Sequence, residues 1–91
     1  MKEVLTTRQF RKDFKKYQHD IKKIKELHDV VEKLRNEEVL PPNYRQHALH
    51  GEYEGCLECH IGGDYILIWV DELNNTIRLT RLGSHSELFN K

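Results

Sequence analysis

Residues 56–71 read CLECHIGGDYILIWVD, and this stretch decides the fold of the chain. Two runs of largely apolar residues flank the pair Gly62-Gly63. Glycine adopts the positive φ angles that tight hairpin turns require. The stretch therefore predicts an antiparallel hairpin, with strands over residues 53–61 and 64–71 and a two-residue turn at the glycines.

The sheet extends beyond this hairpin. Asn74-Asn75 is a turn signal, and residues 76–82 (TIRLTRL) follow it as a third strand of an antiparallel meander. Residues 2–5 form the expected short first strand. Ser84 and Glu87 have the spacing of a capping box, which predicts a short helical turn at the C-terminal end.

Two helices are predicted between the first strand and the hairpin. Apolar residues recur there at helical spacing in two segments, namely Phe10, Phe14 and Tyr17, then Ile21, Ile24, Leu27, Val31 and Leu34. Thr6 or Thr7 can cap the first helix and Asp20 the second, because their side-chain oxygens accept from free amides of the first turn. The prolines of residues 40–42 (LPP) end the second helix.

Length and element order define the fold class. A chain of 91 residues predicts one domain over residues 1–91. The order β-α-α-β-β-β predicts an α+β fold, in which an antiparallel sheet packs against an N-terminal helical hairpin. No apolar run approaches the ~18 residues of a membrane span, and no signal peptide is evident. We therefore expect a cytoplasmic protein without a membrane partner and with reduced cysteines.

Charge is distributed unevenly, although the formal net charge is +0. Residues 1–35 carry 11 Lys or Arg against 6 Asp or Glu, a net of +5, whereas residues 36–91 carry 4 against 9, a net of −5. A basic face of this kind suits an anionic partner such as RNA. The alternative is the ordinary solvated face of a lysine-rich helix.

The segment CLECH (residues 56–60) has the C-x-x-C-H pattern of a haem attachment site. Alternation along a strand places Cys56 and Cys59 on opposite faces, ~10 Å apart along the strand. A disulfide or a shared metal or haem site would require both sulfurs on one side. We therefore expect no haem, no metal and no other cofactor, with a metal- or haem-binding protein as the alternative; Cys59 is expected in the core, with His60 on the other face.

The second half of the chain is rich in side chains suited to phosphodiester chemistry. The candidates are His47, His50, His60, Asp64, Tyr65, Arg81, His85 and Phe89. Histidine transfers protons near neutral pH, the arginine fork binds two phosphate oxygens, and aromatic rings stack on unpaired bases. Cleavage of RNA by attack of its own 2′-OH would need these groups and no metal. The alternative is that the side chains only cap the sheet edge.

Three segments, YRQHALHGEYEG, ECHIGGDYILIW and RLTRLGSHSELF, resemble the YafQ branch of the RelE/ParE toxin superfamily between Tyr44 and Phe89. The resemblance implies the RelE-like microbial ribonuclease fold. It also implies a type II toxin that enters the ribosomal A site, contacts ribosomal RNA and cuts mRNA there as an endoribonuclease (mRNA interferase). A cognate antitoxin would inhibit it, and the complex would bind DNA to repress its own operon.

The resemblance assigns catalytic roles residue by residue. Arg81 would hold the scissile phosphate and stabilise the charge that develops on it. His60 and Asp64 are candidates for the base side and His85 for the acid, while His47 would position the phosphate or share the proton transfer. The choice of acid and base among these residues stays open.

The resemblance also assigns the binding of nucleotides. Phe89 and Tyr65 would order the nucleotide by stacking, although Tyr65 departs from the tryptophan that YafQ carries at this position. The basic helices would meet ribosomal RNA through some of their lysines, which are Lys12, Lys15, Lys16, Lys22, Lys23 and Lys25.

Three other functions fit the same fold. A ParE-like toxin would bind DNA gyrase without nuclease activity, and it would not need this set of histidines. A ribonuclease independent of the ribosome would cut naked RNA. A degenerate toxin would survive only as a binding partner.

Overall fold

The structure is a computed structural model that describes residues 1–89, so the last two residues of the predicted domain lie outside the described part. The elements in chain order are β1 Glu3–Thr6, α1 Arg8–Tyr17, α2 Ile21–Arg35, β2 His47–Ala48, β3 Leu57–His60, β4 Tyr65–Glu72, β5 Thr76–Ser84 and α3 His85–Phe89. Short 3-10 turns cover Pro42–Tyr44 and Gly51–Tyr53. The predicted order of elements is confirmed, and the two-residue strand β2 is added to it.

The sheet has five strands in the order β1-β5-β4-β3-β2. The predicted antiparallel meander runs through β3, β4 and β5, whereas β1 pairs with β5 in the parallel direction. The parallel direction brings the start of α1 alongside β5, where the amide of Thr7 donates to the carbonyl of Leu79 over 2.9 Å. Helix α1 therefore continues along the edge of β5 after β1 ends.

Four residues, 61–64, separate β3 from β4, not the two predicted. The amide of Ile61 donates to the carbonyl of Tyr65 over 2.7 Å, and the Tyr65 amide donates to Gly62 over 3.2 Å. Gly62 and Gly63 adopt φ angles of +59° and +56°, so the expected need for glycine is confirmed. Asp64 completes the loop and is not the first residue of the strand.

The two helices begin at predicted caps. The Thr7 hydroxyl accepts from the amide of Phe10 over 3.0 Å, and the Asp20 carboxylate accepts from the amide of Lys23 over 3.1 Å. The predicted stripe of α2 is partly wrong, because Ile21 is 81% exposed whereas Val30 is fully buried. Nine residues separate these two positions, which places them on opposite sides of a helix with 3.6 residues per turn. No helix within residues 1–89 is both long and apolar enough to cross a bilayer.

Both faces of the sheet are packed. Helices α1 and α2 cover one face, whose core includes Leu67, Trp69 and Cys59. On the other face Ile66 and Ile68 pack against α3 and the segment before β3, together with Cys56. The predicted separation of the two cysteines onto opposite faces is therefore confirmed.

Thiol reactivity should differ sharply between the two cysteines. Cys59 is fully buried, and burial raises the pKa of its thiol to about 12, while Cys56 is only partly buried. Because the thiolate is the reactive form, we expect a thiol reagent to label native protein at Cys56 alone and to label both residues in denaturant. Mass spectrometry of the labelled protein checks this, with Cys56→Ala as the control that should remain unlabelled when folded. Labelling of Cys59 in native protein would contradict the packing described here.

Candidate active site

Four residues, three of them polar or charged, form one row across the sheet. His47 pairs with Glu58, Glu58 with Ile68, and Ile68 with Arg81. Residues directly opposite one another share a face, so the row lies on the face that carries α3. Two strand spacings place the backbone of Glu58 about 10 Å from that of Arg81.

A β-bulge gives Arg81 its place in this row. Ile68 pairs with Arg81 and Trp69 with Leu79, so Thr80 is an extra residue in β5. In a regular strand, residues three apart point to opposite faces. The extra residue brings Leu79 and Leu82 to the same face, and both belong to the same core. Bulges of this kind re-aim neighbouring side chains, and here Arg81 turns to the opposite face.

A buried carboxylate joins two of the predicted histidines. Oε2 of Glu58 lies 3.0 Å from Nε2 of His47 and 3.7 Å from Nε2 of His60, while Oε1 is buried without a hydrogen-bond partner among residues 1–89. Nδ1 of His47 lies 2.9 Å from the carbonyl of Arg45. Glu58 thus lies between the two rings, within hydrogen-bond distance of His47 but not of His60, a position that sequence reasoning missed; its only signal was its place two residues before His60 on the same face of the strand.

Arg81 is held from two sides. Its Nε and Nη2 donate to the carboxylate of Asp13 over 2.8 and 3.4 Å, and its Nη1 donates to the hydroxyl of Tyr53 over 3.2 Å. The hydrogen bond to Asp13 is the main cause that raises the pKa of Arg81 above its ordinary value. Three of the five N–H groups of the guanidinium are engaged in this way, and the other two have no partner within residues 1–89, so they are available to a phosphate.

Tyr53 links Arg81 to α3. Its hydroxyl donates to the carbonyl of Leu88 over 3.1 Å, and its ring meets that of Phe89 edge-on at 5.5 Å between centroids. Sequence reasoning assigned Tyr53 only to a strand. The segment before β3 therefore supplies a side chain that fixes both the arginine and the helix of the site.

Helix α3 presents His85 and Phe89. The predicted capping box is confirmed, since the Ser84 amide donates to Glu87 over 2.9 Å and the Glu87 amide donates to Ser84 Oγ over 3.2 Å. His85 is exposed, and its ring lies 4.7 Å from that of Phe89. The carboxylate of Asp64 accepts from the backbone amide of His85 over 3.3 Å, so Asp64 ties the β3–β4 loop to the helix.

Glu87 also joins α3 to α1, which gives a pH-dependent contribution to stability. Its carboxylate accepts from the Ser84 amide and from the Tyr17 hydroxyl, and these bonds lower the pKa of Glu87 from 4.5 to about 2. Because the folded pKa is the lower one, the ionised group stabilises the fold above pH 4.5 and loses this effect as the pH falls towards 2. We expect Glu87→Gln to flatten the acid dependence of urea unfolding in that window, whereas Glu52→Gln, at an exposed position, should not. If the free energy of unfolding falls with pH in the same way for wild type and Glu87→Gln, this linkage is contradicted.

The predicted stacking role of Tyr65 is corrected by the structure. Its ring is 2% exposed, belongs to the core beneath the helices and lies 4.6 Å from the ring of Tyr17. Burial raises the pKa of its hydroxyl far above the ordinary range. A side chain enclosed in this way cannot stack on a nucleobase, so Tyr65 supports the site as a packing residue.

The remaining predicted residues fall into two groups on one face. His47 and His60 meet through Glu58 on β2 and β3, while Arg81, His85 and Phe89 lie on β5 and α3. Asp64 lies with the second group, because its carboxylate accepts from the backbone amide of His85. Within residues 1–89 no hydrogen bond or ion pair joins the two groups, and Ile66 and Ile68 lie between them.

Comparisons with known proteins agree with this architecture. A family model described as "Bacterial toxin of type II toxin-antitoxin system, YafQ" matches residues 2–90. The mRNA interferase toxin YafQ of Escherichia coli K12 is 35% identical over 86 residues, which cover 89% of this chain and 88% of that protein.

Solved structures give the same result. A metal-bound toxin from Helicobacter pylori superimposes with a TM-score of 0.88 at 39% identity, covering 98% of this chain and 100% of that one. A chain of the E. coli DinJ–YafQ complex superimposes with a TM-score of 0.84 at 30% identity, covering 98% and 99%.

The fold and these matches together define a bacterial toxin of the type II toxin–antitoxin class. More narrowly, the chain belongs to the YafQ family, whose E. coli members are named mRNA interferases. The predicted family, the α+β RelE-like fold class and the class of mRNA interferase toxin are thereby confirmed.

Proposed function

We propose that this toxin cuts mRNA in the ribosomal A site by attack of the substrate's own 2′-OH. One observation carries the proposal: a buried carboxylate flanked by two histidines shares a face with an anchored arginine, and two strand spacings, ~10 Å, separate the backbones of Glu58 and Arg81. This spacing leaves room for a ribose and its phosphate between the two groups. Acid–base chemistry of this kind needs proton donors and acceptors on both sides of the scissile bond.

The two groups suggest a division of roles. On one side His60, whose side chain is 29% exposed, accepts the 2′-OH proton close to the Glu58 carboxylate; His47 supports the same side. On the other side Arg81 binds the phosphate through its two free N–H groups. His85 then protonates the 5′ oxygen that leaves, and Phe89 stacks against the nucleotide.

Asp64 has a supporting role in this scheme. Its observed partner is the backbone amide of His85, so it fixes the start of α3 and with it the position of the acid. The proton transfers are assigned to side chains alone. Although the H. pylori relative is metal-bound, residues 1–89 contain no group of three or more His, Cys, Asp or Glu side chains arranged to hold a metal ion.

The partners follow from charge and from the relatives. Five of the six lysines predicted to meet RNA are exposed and the sixth, Lys23, is partly exposed, so α1 and α2 offer positive charge to ribosomal RNA. The E. coli relative was solved as a complex with DinJ. We propose that a cognate, DNA-binding antitoxin with an acidic segment blocks this toxin in the cytoplasm.

Primer extension on an mRNA tests the proposal, with purified toxin added in the presence and absence of translating ribosomes. Discrete cuts on translated mRNA alone are the expected result. Cuts on naked RNA would replace the proposal with a ribonuclease independent of the ribosome. Absence of cuts from folded, antitoxin-free protein would overturn the nuclease and direct attention to gyrase binding.

A further inference from the structure

We propose that Asp13, on α1, is the positioning residue for Arg81: it orients the guanidinium that binds the scissile phosphate. The inference rests on the proposed function, because positioning of Arg81 matters only if Arg81 binds the scissile phosphate. Asp13 lies outside the set of residues that the family motif supplies. The inference concerns how the site is held in place, and Asp13 itself is too deeply buried to touch RNA, with a side chain 2% exposed.

The carboxylate of Asp13 is satisfied by four donors. Oδ2 accepts from Arg81 Nε over 2.8 Å and from the Leu82 amide over 3.0 Å. Oδ1 accepts from Gln9 Nε2 over 3.1 Å and from Arg81 Nη2 over 3.4 Å. Because these four donors surround it, the carboxylate has one orientation available to it. It can therefore hold the Arg81 guanidinium in a single orientation.

The two bonds from Asp13 fix the plane of the guanidinium. Nε and Nη2 form one edge of the planar group, and Asp13 occupies that edge in a bidentate contact. Tyr53 takes one N–H of Nη1. The two N–H groups left over therefore point in fixed directions before any substrate arrives, and preorganised donors of this kind are what stabilise charge in a transition state.

Location and energetics both favour positioning over simple stabilisation. Asp13 lies beside the bulge in β5 and reaches the Leu82 amide on the strand edge that β1 leaves unpaired. A buried ion pair is on average no more stabilising than apolar residues of the same volume. A carboxylate next to Phe10 and Phe14 on α1 is therefore poorly explained by stability, whereas control of Arg81 explains it.

The variant Asp13→Asn tests the inference, because the amide keeps the shape and can still accept from Leu82. The NH2 group then takes the place of Oδ1 and cannot accept from Arg81 Nη2, and the oxygen that still faces Nε is no longer charged, so the guanidinium loses its bidentate, charged partner. Glu72→Gln is the matched control: Glu72 holds Arg78 on the same strand through Nε and Nη2 at 2.7 and 3.3 Å, away from the site. Circular dichroism and urea unfolding establish that both variants are folded.

We expect Asp13→Asn to lower kcat for ribosome-bound mRNA by about 10–100-fold with KM little changed, since displacement of a catalytic group by an ångström has an effect of this size. Glu72→Gln should cleave as wild type does. Equal kcat for wild type and folded Asp13→Asn, or equal losses in both variants, would overturn the inference.

A second measurement separates this inference from the proposed function. Hydrogen exchange of Arg81 Nε–H, followed by NMR, reports the hold of Asp13 even if wild-type protein cuts no RNA. We expect slow exchange in wild type and in Glu72→Gln and faster exchange in Asp13→Asn, because the neutral amide oxygen accepts from Nε more weakly than a carboxylate does. Fast exchange in wild type would show that Asp13 does not fix the guanidinium, and would overturn the inference whether or not the protein is a nuclease.

Discussion

Replacing His85 with alanine is expected to slow mRNA cleavage by ~10²–10⁴-fold while the protein stays folded, which is the range for loss of one general acid or base. The side chain is exposed, and its ring contacts that of Phe89. The hydrogen bond from its backbone amide to Asp64 does not need the imidazole and survives the substitution. Chemistry and folding are therefore separable at this position. Single-turnover cleavage on programmed ribosomes measures the effect.

His50→Ala is the matched control for this prediction. His50 is an exposed histidine of the same half of the chain, but it lies outside both groups of the site. It should cleave at the wild-type rate. If His85→Ala also cleaves at that rate, His85 is not the acid and another group must protonate the leaving oxygen.

Replacing Arg81 with alanine should have two large effects. Cleavage should be lost, because the cation that binds the phosphate is gone. The fold should also be destabilised, because Asp13 would remain buried and charged without its partner. Removing one member of a buried pair costs ~3–5 kcal/mol, and the lower end applies here because the Arg81 side chain is 23% exposed. Urea unfolding measures this loss directly.

A double variant identifies the cause of the instability. Arg81→Ala combined with Asp13→Asn removes both charges, so it should be more stable than Arg81→Ala alone. Cleavage should remain absent in the double variant. If Arg81→Ala is as stable as wild type, the ion pair with Asp13 contributes nothing to the fold, and the packing around Asp13 must differ from the structure described here.

Local signals made much of the fold predictable. Thr7, Asp20 and the Ser84–Glu87 box cap helices as expected, because capping depends on residues three apart in the sequence. The glycine pair marked the hairpin because few other residues adopt its φ angles. Its four-residue length escaped prediction, since it depends on which residues pair across the strands.

The features that were missed depend on packing between distant segments. Tyr65 lies in a strand buried on both faces, so alternation could not tell which face holds a core residue. Asp13 meets Arg81 across 68 positions of sequence, and nothing local distinguishes it from a solvated acid of an amphipathic helix. The parallel pairing of β1 with β5 likewise reflects where α1 must begin. No short sequence pattern predicts it.

The residues of the site likewise divide into those that local signals predicted and those that depend on packing between distant segments. Residue types and the family motif singled out the histidines and Arg81, while the structure added Glu58, Tyr53 and Asp13 as their supports. Supports were hidden because each acts through a partner on another element. The chemistry is thus carried by a short motif, and its precision depends on the whole fold.

The most direct test of ribosome-bound cleavage by the 2′-OH uses an mRNA with one 2′-deoxynucleotide at the mapped cut site, placed in the A site of programmed ribosomes. Wild-type toxin should cut the all-ribose mRNA and leave a 2′,3′-cyclic or 3′ phosphate. It should not cut the substituted mRNA at that position. Equal cleavage of both mRNAs would contradict the mechanism, because the nucleophile would then have to be water and not the hydroxyl that the two groups of side chains are proposed to activate.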